Sequence, residues 1–208
     1  MNPISFHLRD LRDNWNSSGL GFEVRRTAGA FVILVLLGFL TCQLRPDIQE
    51  KITEFILSIF SAADIYTEDG GISAAGLFAN NIRACFTSIL YGLMPFLYFP
   101  ALSLGINAMI LGVMASYYVS HGYSIGLYLA ALLPHGIFEL PALVLGIACG
   151  LYLCRHVSAQ LLNPREIPPF SLCLIRIAQV FLLLITPLLA FAALAEAYLT
   201  PWVITLVS

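Results

Sequence analysis

The sequence predicts an all-α fold: a polytopic transmembrane helix bundle of about five spans, with a Pro-broken fourth span and an interfacial amphipathic helix after span one. Three observations predict it. Of 208 residues, 59% are hydrophobic and 11% are charged, against about 25% charged in soluble domains. Fifteen of the 22 acidic and basic residues fall between Arg9 and Asp69. Only Arg83, Glu139, Arg155, Arg165, Glu166, Arg176 and Glu196 remain for the rest of the chain. That remainder carries apolar runs of span length, separated by proline, glycine and polar turns. A net charge of −2 without a basic run gives no reason to expect nucleic acid. The lipid bilayer is the expected surrounding, and no cofactor is expected.

The elements follow in order. Residues 1–26 form a polar juxtamembrane segment. In it Phe6, Leu8, Leu11 and Trp15 alternate with Arg9, Asp10, Arg12 and Asp13, as in a short helix lying on a membrane surface. A single transmembrane domain is expected over residues 27–204. Its first span runs from Thr27 to about Leu44, a rise of about 27 Å at 1.5 Å per residue. No small-residue cleavage site follows, so this stretch reads as a retained anchor and not a removed signal peptide. Pro46 ends it and can open the next helix. From Asp47 to Ala62, Ile48, Ile52, Phe55, Ile56, Ile59 and Phe60 recur at helical spacing. Glu50, Lys51, Glu54 and Ser58 fill the other face. This is the interfacial helix, and Asp64–Gly71 is an acidic loop after it.

The second span is expected from about Ile72 to Pro95, and Pro95 and Pro100 place the turn into the third, from about Leu102 to Val119. Ile125–Cys154 is longer than the roughly 20 residues a span needs, with Pro134-His135-Gly136 inside it. A helix break at Pro134 and Gly136 gives two readings: a half-helix followed by a full span from Ile137, or one long helix kinked at Pro134. Such a break must face protein or a watery cavity, not lipid. Arg155–Pro169 reads as a polar loop, and Leu172–Leu194 as the last span. With five spans, Arg9, Arg12, Arg25, Arg26, Arg155 and Arg165 share one side, against Arg45 and Lys51 on the other. The N-terminus is then cytoplasmic and the C-terminus external, as is the segment 47–71.

The chemistry-bearing residues are polar groups within or beside the spans: Asn81, Arg83, Asn107, His135 and Glu139. An ionisable residue at membrane depth is costly enough to need a reason. His135 and Glu139, four apart, share a helix face. Asn81 and Asn107 are amides able to hydrogen-bond across helices, and Arg83 is a candidate counter-ion for Glu139. The bland account is that all five hold helices together. As a metal site HxxxE is incomplete, since zinc takes three or four protein ligands, so no metal is expected. The sequence shows no Ser-His-Asp set, HExxH or P-loop, and no enzyme is expected. Arg176 and Glu196, at span ends, can snorkel. The five cysteines lack a CxxC pair and read as buried packing residues. Gly92, Gly105, Gly112, Gly146 and Gly150 read as close-packing positions between helices.

These residues carry a family resemblance. Phe78-x-Asn80-Asn81, Gly92, Asn107, Gly112, the run Leu133-Pro134-His135-Gly136-Ile137-Phe138-Glu139-Leu140-Pro141, then Gly146 and Gly150, resemble the stage II sporulation protein M family over about residues 27–200. Ala108 stands where that pattern expects glycine, and Pro95 and Pro100 interrupt a region usually rich in glycine. The resemblance implies a prokaryotic plasma (inner) membrane protein of about five spans. Its named member is implied to anchor cell-wall hydrolases at the septum. Three functions compete on this sequence. One is a scaffold that organises membrane or envelope proteins. Another is a permease-like or channel-like subunit moving a solute, ion or lipid. The third is an intramembrane enzyme built on His135 and Glu139, which would need a further ligand or nucleophile.

Overall fold

A computed structural model describes residues 3–61, 73–200 and 202–203. Among them there are seven helices and no strand: α1 (Pro3–Asn14), α2 (Leu20–Leu44), α3 (Pro46–Ser61), α4 (Ala74–Leu90), α5 (Phe99–Ser120), α6 (Ile125–Leu162) and α7 (Phe170–Leu199). The acidic stretch Asp64–Gly71 lies outside the described residues. Helices α2, α5, α6 and α7 are long and apolar enough to cross a membrane. Helix α4 has 17 residues, the lower limit for a span, and a 3-10 turn at Tyr91–Leu93 extends it. The all-α membrane fold and the count of about five spans therefore stand.

Several boundaries differ from expectation for identifiable reasons. Helix α2 begins at Leu20 instead of Thr27, because Gly19 turns the chain at φ +80° and Ser18 Oγ accepts the Leu20 N–H at 3.3 Å. Arg45 precedes α3 and bonds Asp47 in its first turn at 2.8 Å, which holds that carboxyl below its ordinary range. The negative charge there suits the helix N-terminus. The expected loop Arg155–Pro169 shrinks to residues 163–169, since α6 continues to Leu162. His156 is buried there, its ring beside Tyr152 and Phe170. Of the two readings of Pro134, the single long helix is the one observed: 38 residues, about 57 Å at 1.5 Å per residue, run through Pro134 and Gly136 without interruption. Proline removes one N–H, a loss that membrane helices tolerate when neighbours cover the site, and Gly136 is buried.

Helix α7 is not a regular α-helix throughout, as the expected last span would be. It widens into π turns at Phe181–Ile185 and Ala195–Leu199, and each is followed in sequence by Thr-Pro. Thr186 Oγ1 donates to the Phe181 carbonyl at 2.9 Å, and Thr200 Oγ1 shares its single proton between the Ala195 carbonyl at 3.3 Å and the Glu196 carboxylate at 3.0 Å. A proline ring crowds the carbonyl four residues back and offers no N–H. A wider turn just before it, with a hydroxyl as extra donor, relieves both problems.

The chain divides into two compact units. The first comprises Met1–Gly29, Asn81–Leu104 and Glu139–Leu189; the second comprises Ala30–Asn80, Gly105–Phe138 and Ala190–Ser208. In the first, α1 packs on α7, where Gln179 donates to Asp10 Oδ2 at 2.9 Å and meets His7 Nδ1 at 3.2 Å. Glu23, 5% exposed, binds Arg155 at 2.7 Å, with Arg26 at 3.8 Å. Arg155→Ala should lower the melting temperature in detergent, at a cost of about 2 kcal/mol. This is below the roughly 3–5 kcal/mol of an orphaned buried charge, because Arg26 stays nearby. An unchanged melting curve would remove this pair from the stabilising contacts.

In the second unit, Cys42, Ile56 and Val113 form a core with Ile52, Ile110 and Met114 against it. Helix α3 is amphipathic as expected, with Glu50, Lys51 and Glu54 exposed. Its buried face is more polar than its sequence suggests. Gln49 and Thr53 are buried with Ile56, whereas Phe55 is exposed. Gln43 Nε2 donates to Ser116 Oγ at 3.1 Å, and Ser120 Oγ donates to Gln49 Oε1 at 3.3 Å. All five cysteines are free and buried. On α2, Val32, Ile33, Leu36, Leu37, Leu40 and Leu44 stay exposed, an apolar surface suited to lipid.

Candidate functional site

A close polar contact lies in the second unit, between the first half of α6 and the end of α7. His135 Nδ1 is in close ion-pair contact with Glu196 Oε2, and both side chains are mostly covered. Glu196 Oε2 also accepts from Thr200 Oγ1 at 3.0 Å. Local structure positions each member. His135 follows Pro134 on the unbroken α6. Glu196 sits in the second π turn of α7, and Thr200, 5% exposed, closes that turn. Beside them Phe138 and Phe191 bring ring centroids to 5.8 Å.

Chain order explains the meeting. Helices α6 and α7 are consecutive, joined by the short stretch 163–169, so they run in opposite directions. The start of one then lies level with the end of the other. A histidine early in α6 and a glutamate late in α7 are at the same end. In sequence alone Glu196 is a span-end residue able to snorkel, which hides this contact. The signal was available, because antiparallel order matches an acid and a base in adjacent spans. The Thr-Pro after each π turn was a second cue.

The predicted residues are distributed between the units. Asn107 and His135 belong to the second; Asn81, Arg83 and Glu139 belong to the first. Asn81, Asn107, His135 and Glu139 are half-buried, and Arg83 is exposed. Among the described residues Arg83 forms no ion pair, so the expected bridge from Arg83 to Glu139 is not formed. Other polar contacts that sequence reasoning missed are Glu23 with Arg155, Gln179 with His7 and Asp10, and Gln43 with Ser116. Their common cause is helices that extend beyond the expected spans or pack polar faces inward. Among the described residues no group of three His, Cys, Asp or Glu side chains is placed to hold a metal.

Chemically, a histidine in ion-pair contact with a carboxylate, itself bonded to a hydroxyl, can tie two helices together. The same three groups can also exchange a proton. A family model described as Stage II sporulation protein M matches residues 27–201. That stretch contains Pro134, His135, Gly136, Glu139 and Glu196. No curated protein and no solved structure matches the chain.

Proposed function

Since the chain belongs to the stage II sporulation protein M family, we propose that it is a non-enzymatic membrane scaffold that organises membrane or envelope proteins, cell-wall remodelling factors among them. The observation that carries this reading is the mutual pairing of polar side chains on different helices. His135 meets Glu196 and Thr200, and Gln43 meets Ser116. Such pairs fix helix against helix and leave outer faces for partners. The protein sits in a prokaryotic plasma (inner) membrane, with the N-terminus cytoplasmic and the C-terminus external. In that orientation α3 stands at the outer surface.

The test is recovery of co-purifying proteins from mild detergent, wild type against exposed α3 variants such as Lys51→Glu with Glu54→Lys, at matched abundance. Loss of a defined set of wall-associated proteins at normal abundance supports the scaffold. An unchanged set from every α3 variant, together with lost solute flux in vesicles for His135→Ala, sinks it. A reporter fused after Ser208 should report the external side; a cytoplasmic signal would mean an even number of spans.

A second reading, a permease-like or channel-like subunit for a solute, ion or lipid, draws on the His135–Glu196 contact, whose groups can exchange a proton, and on one further observation. Gln49 Nε2 and Thr53 Oγ1, one turn apart on α3 and almost wholly buried, have no hydrogen-bond partner among the described residues. Buried groups of this kind call for a polar companion. Flux that survives Gln49→Leu with Thr53→Val would remove α3 from this reading.

A further inference from the structure

The connection between α4 and α5 has the composition of a membrane segment and the geometry of a turn. The sequence holds no Asp, Glu, Lys or Arg between Arg83 and Glu139. Tyr91, Leu93, Met94, Phe96, Leu97, Tyr98 and Phe99 are each between 38% and 61% exposed. Leaving that many large apolar side chains in water is unfavourable, since full burial of one is worth about 1.5–3 kcal/mol. Phe96 at φ +67° and Tyr98 at φ +47° adopt the left-handed region without being glycine. Such strain persists only where the surroundings impose it.

The surroundings are two side chains of α6, in the same unit. Ser158 Oγ accepts the Phe96 N–H at 2.9 Å, and Cys154 Sγ donates to the Met94 carbonyl at 3.2 Å. Ser158 is 6% exposed and Cys154 is fully buried. They are four residues apart, on one face of α6. Within the turn, the Ala101 N–H bonds the Tyr98 carbonyl at 2.8 Å. A loop in water needs no such help, because water satisfies its backbone. A loop in hydrocarbon does, and irregular backbone at membrane depth is tolerated only where protein supplies the partners. The exposed apolar surface also continues onto α5 at Leu102, on a helix long and apolar enough to span.

We infer that the α4–α5 turn is immersed in the bilayer, its aromatic and aliphatic side chains against lipid, with Ser158 and Cys154 serving its backbone in place of water. The two tyrosines suit the interfacial level of that leaflet. The occupant of this surface is lipid, not a partner protein.

The test uses the full chain carrying Leu97→Cys, purified and reconstituted in nanodiscs that expose both membrane faces. A charged, membrane-impermeant maleimide is the probe. Arg165→Cys, exposed in the α6–α7 connection, is the comparator, the wild type with its five buried free thiols gives the background, and one label more than the wild type after denaturation in SDS confirms each introduced thiol. A thiol away from water forms little thiolate, so Leu97→Cys should react at least about tenfold more slowly than Arg165→Cys. Equal rates in the nanodisc overturn the inference. So does protection in native membranes that disappears on reconstitution with lipid alone, because a protein would then be the cover. Leu93→Cys, an exposed apolar position in the same turn, supplies the same readout if Leu97→Cys fails to fold.

Discussion

Gly150→Leu should remove most of the folded protein from the membrane, and Gly105→Leu should leave its amount unchanged. A Cβ on Gly150 would stand 2.4 Å from the Ser88 carbonyl oxygen and 2.9 Å from Pro100 Cγ. A Cβ on Gly92 would stand 2.2 Å from the Gly150 carbonyl oxygen. The obstacles are chiefly backbone atoms, which cannot rotate away as a side chain does. In the second unit, a Cβ on Gly112 would meet the Val35 carbonyl oxygen at 2.2 Å and the Phe39 nitrogen at 2.7 Å. Lipid gives helices no hydrophobic reason to associate, so close backbone approach through small residues carries much of the packing. Overpacking such a contact costs at least about 3 kcal/mol, the upper end for a filled core. Even Gly150→Ala and Gly112→Ala should lower the melting temperature in detergent. Gly29 and Gly105 have nothing within 4 Å of a built Cβ and serve as controls. A Gly150→Leu protein that elutes as one species at wild-type yield would refute this account of the packing.

The same glycines show how much of the fold was legible. Four of the five expected to pack closely do so, at Gly92, Gly112, Gly146 and Gly150; Gly105 faces open space. Apolar run length located α2, α5, α6 and α7, because hydrocarbon thickness sets a minimum span. It set no maximum, so α6 continues through Arg155 and His156, residues that read as loop. Their polarity is accommodated by Glu23 and by the rings of Tyr152 and Phe170. The site was legible by type and not by pairing. His135 stands out as a polar residue within an apolar run, but spacing along the chain offers Glu139, four residues on, and not Glu196. Local spacing is visible in a sequence, whereas a contact between helices depends on which ends lie level. Polar contacts on the buried face of α3 are hidden for a related reason: apolar periodicity points to lipid as readily as to protein, and here Phe55 stays exposed while Gln49 and Thr53 are buried.

The His135–Glu196 pair should behave as a unit. Glu196→Ala leaves a mostly covered imidazole without its acid, and His135→Ala leaves a carboxylate with, among the described residues, Thr200 alone. Either change should cost about 3 kcal/mol, the lower end for breaking a buried ion pair, whereas replacing both partners by apolar residues of similar volume is often neutral. The double variant His135→Leu with Glu196→Leu should therefore melt near the wild type, and above either single variant, in a thermal scan in detergent. Costs that simply add would mean that the two groups act separately. The double variant also separates the two functional readings. Under the scaffold reading it restores both abundance and co-purifying proteins, because only the tie between α6 and α7 mattered. Under the permease-like reading it restores abundance but not flux, because an apolar pair cannot pass a proton or coordinate a solute.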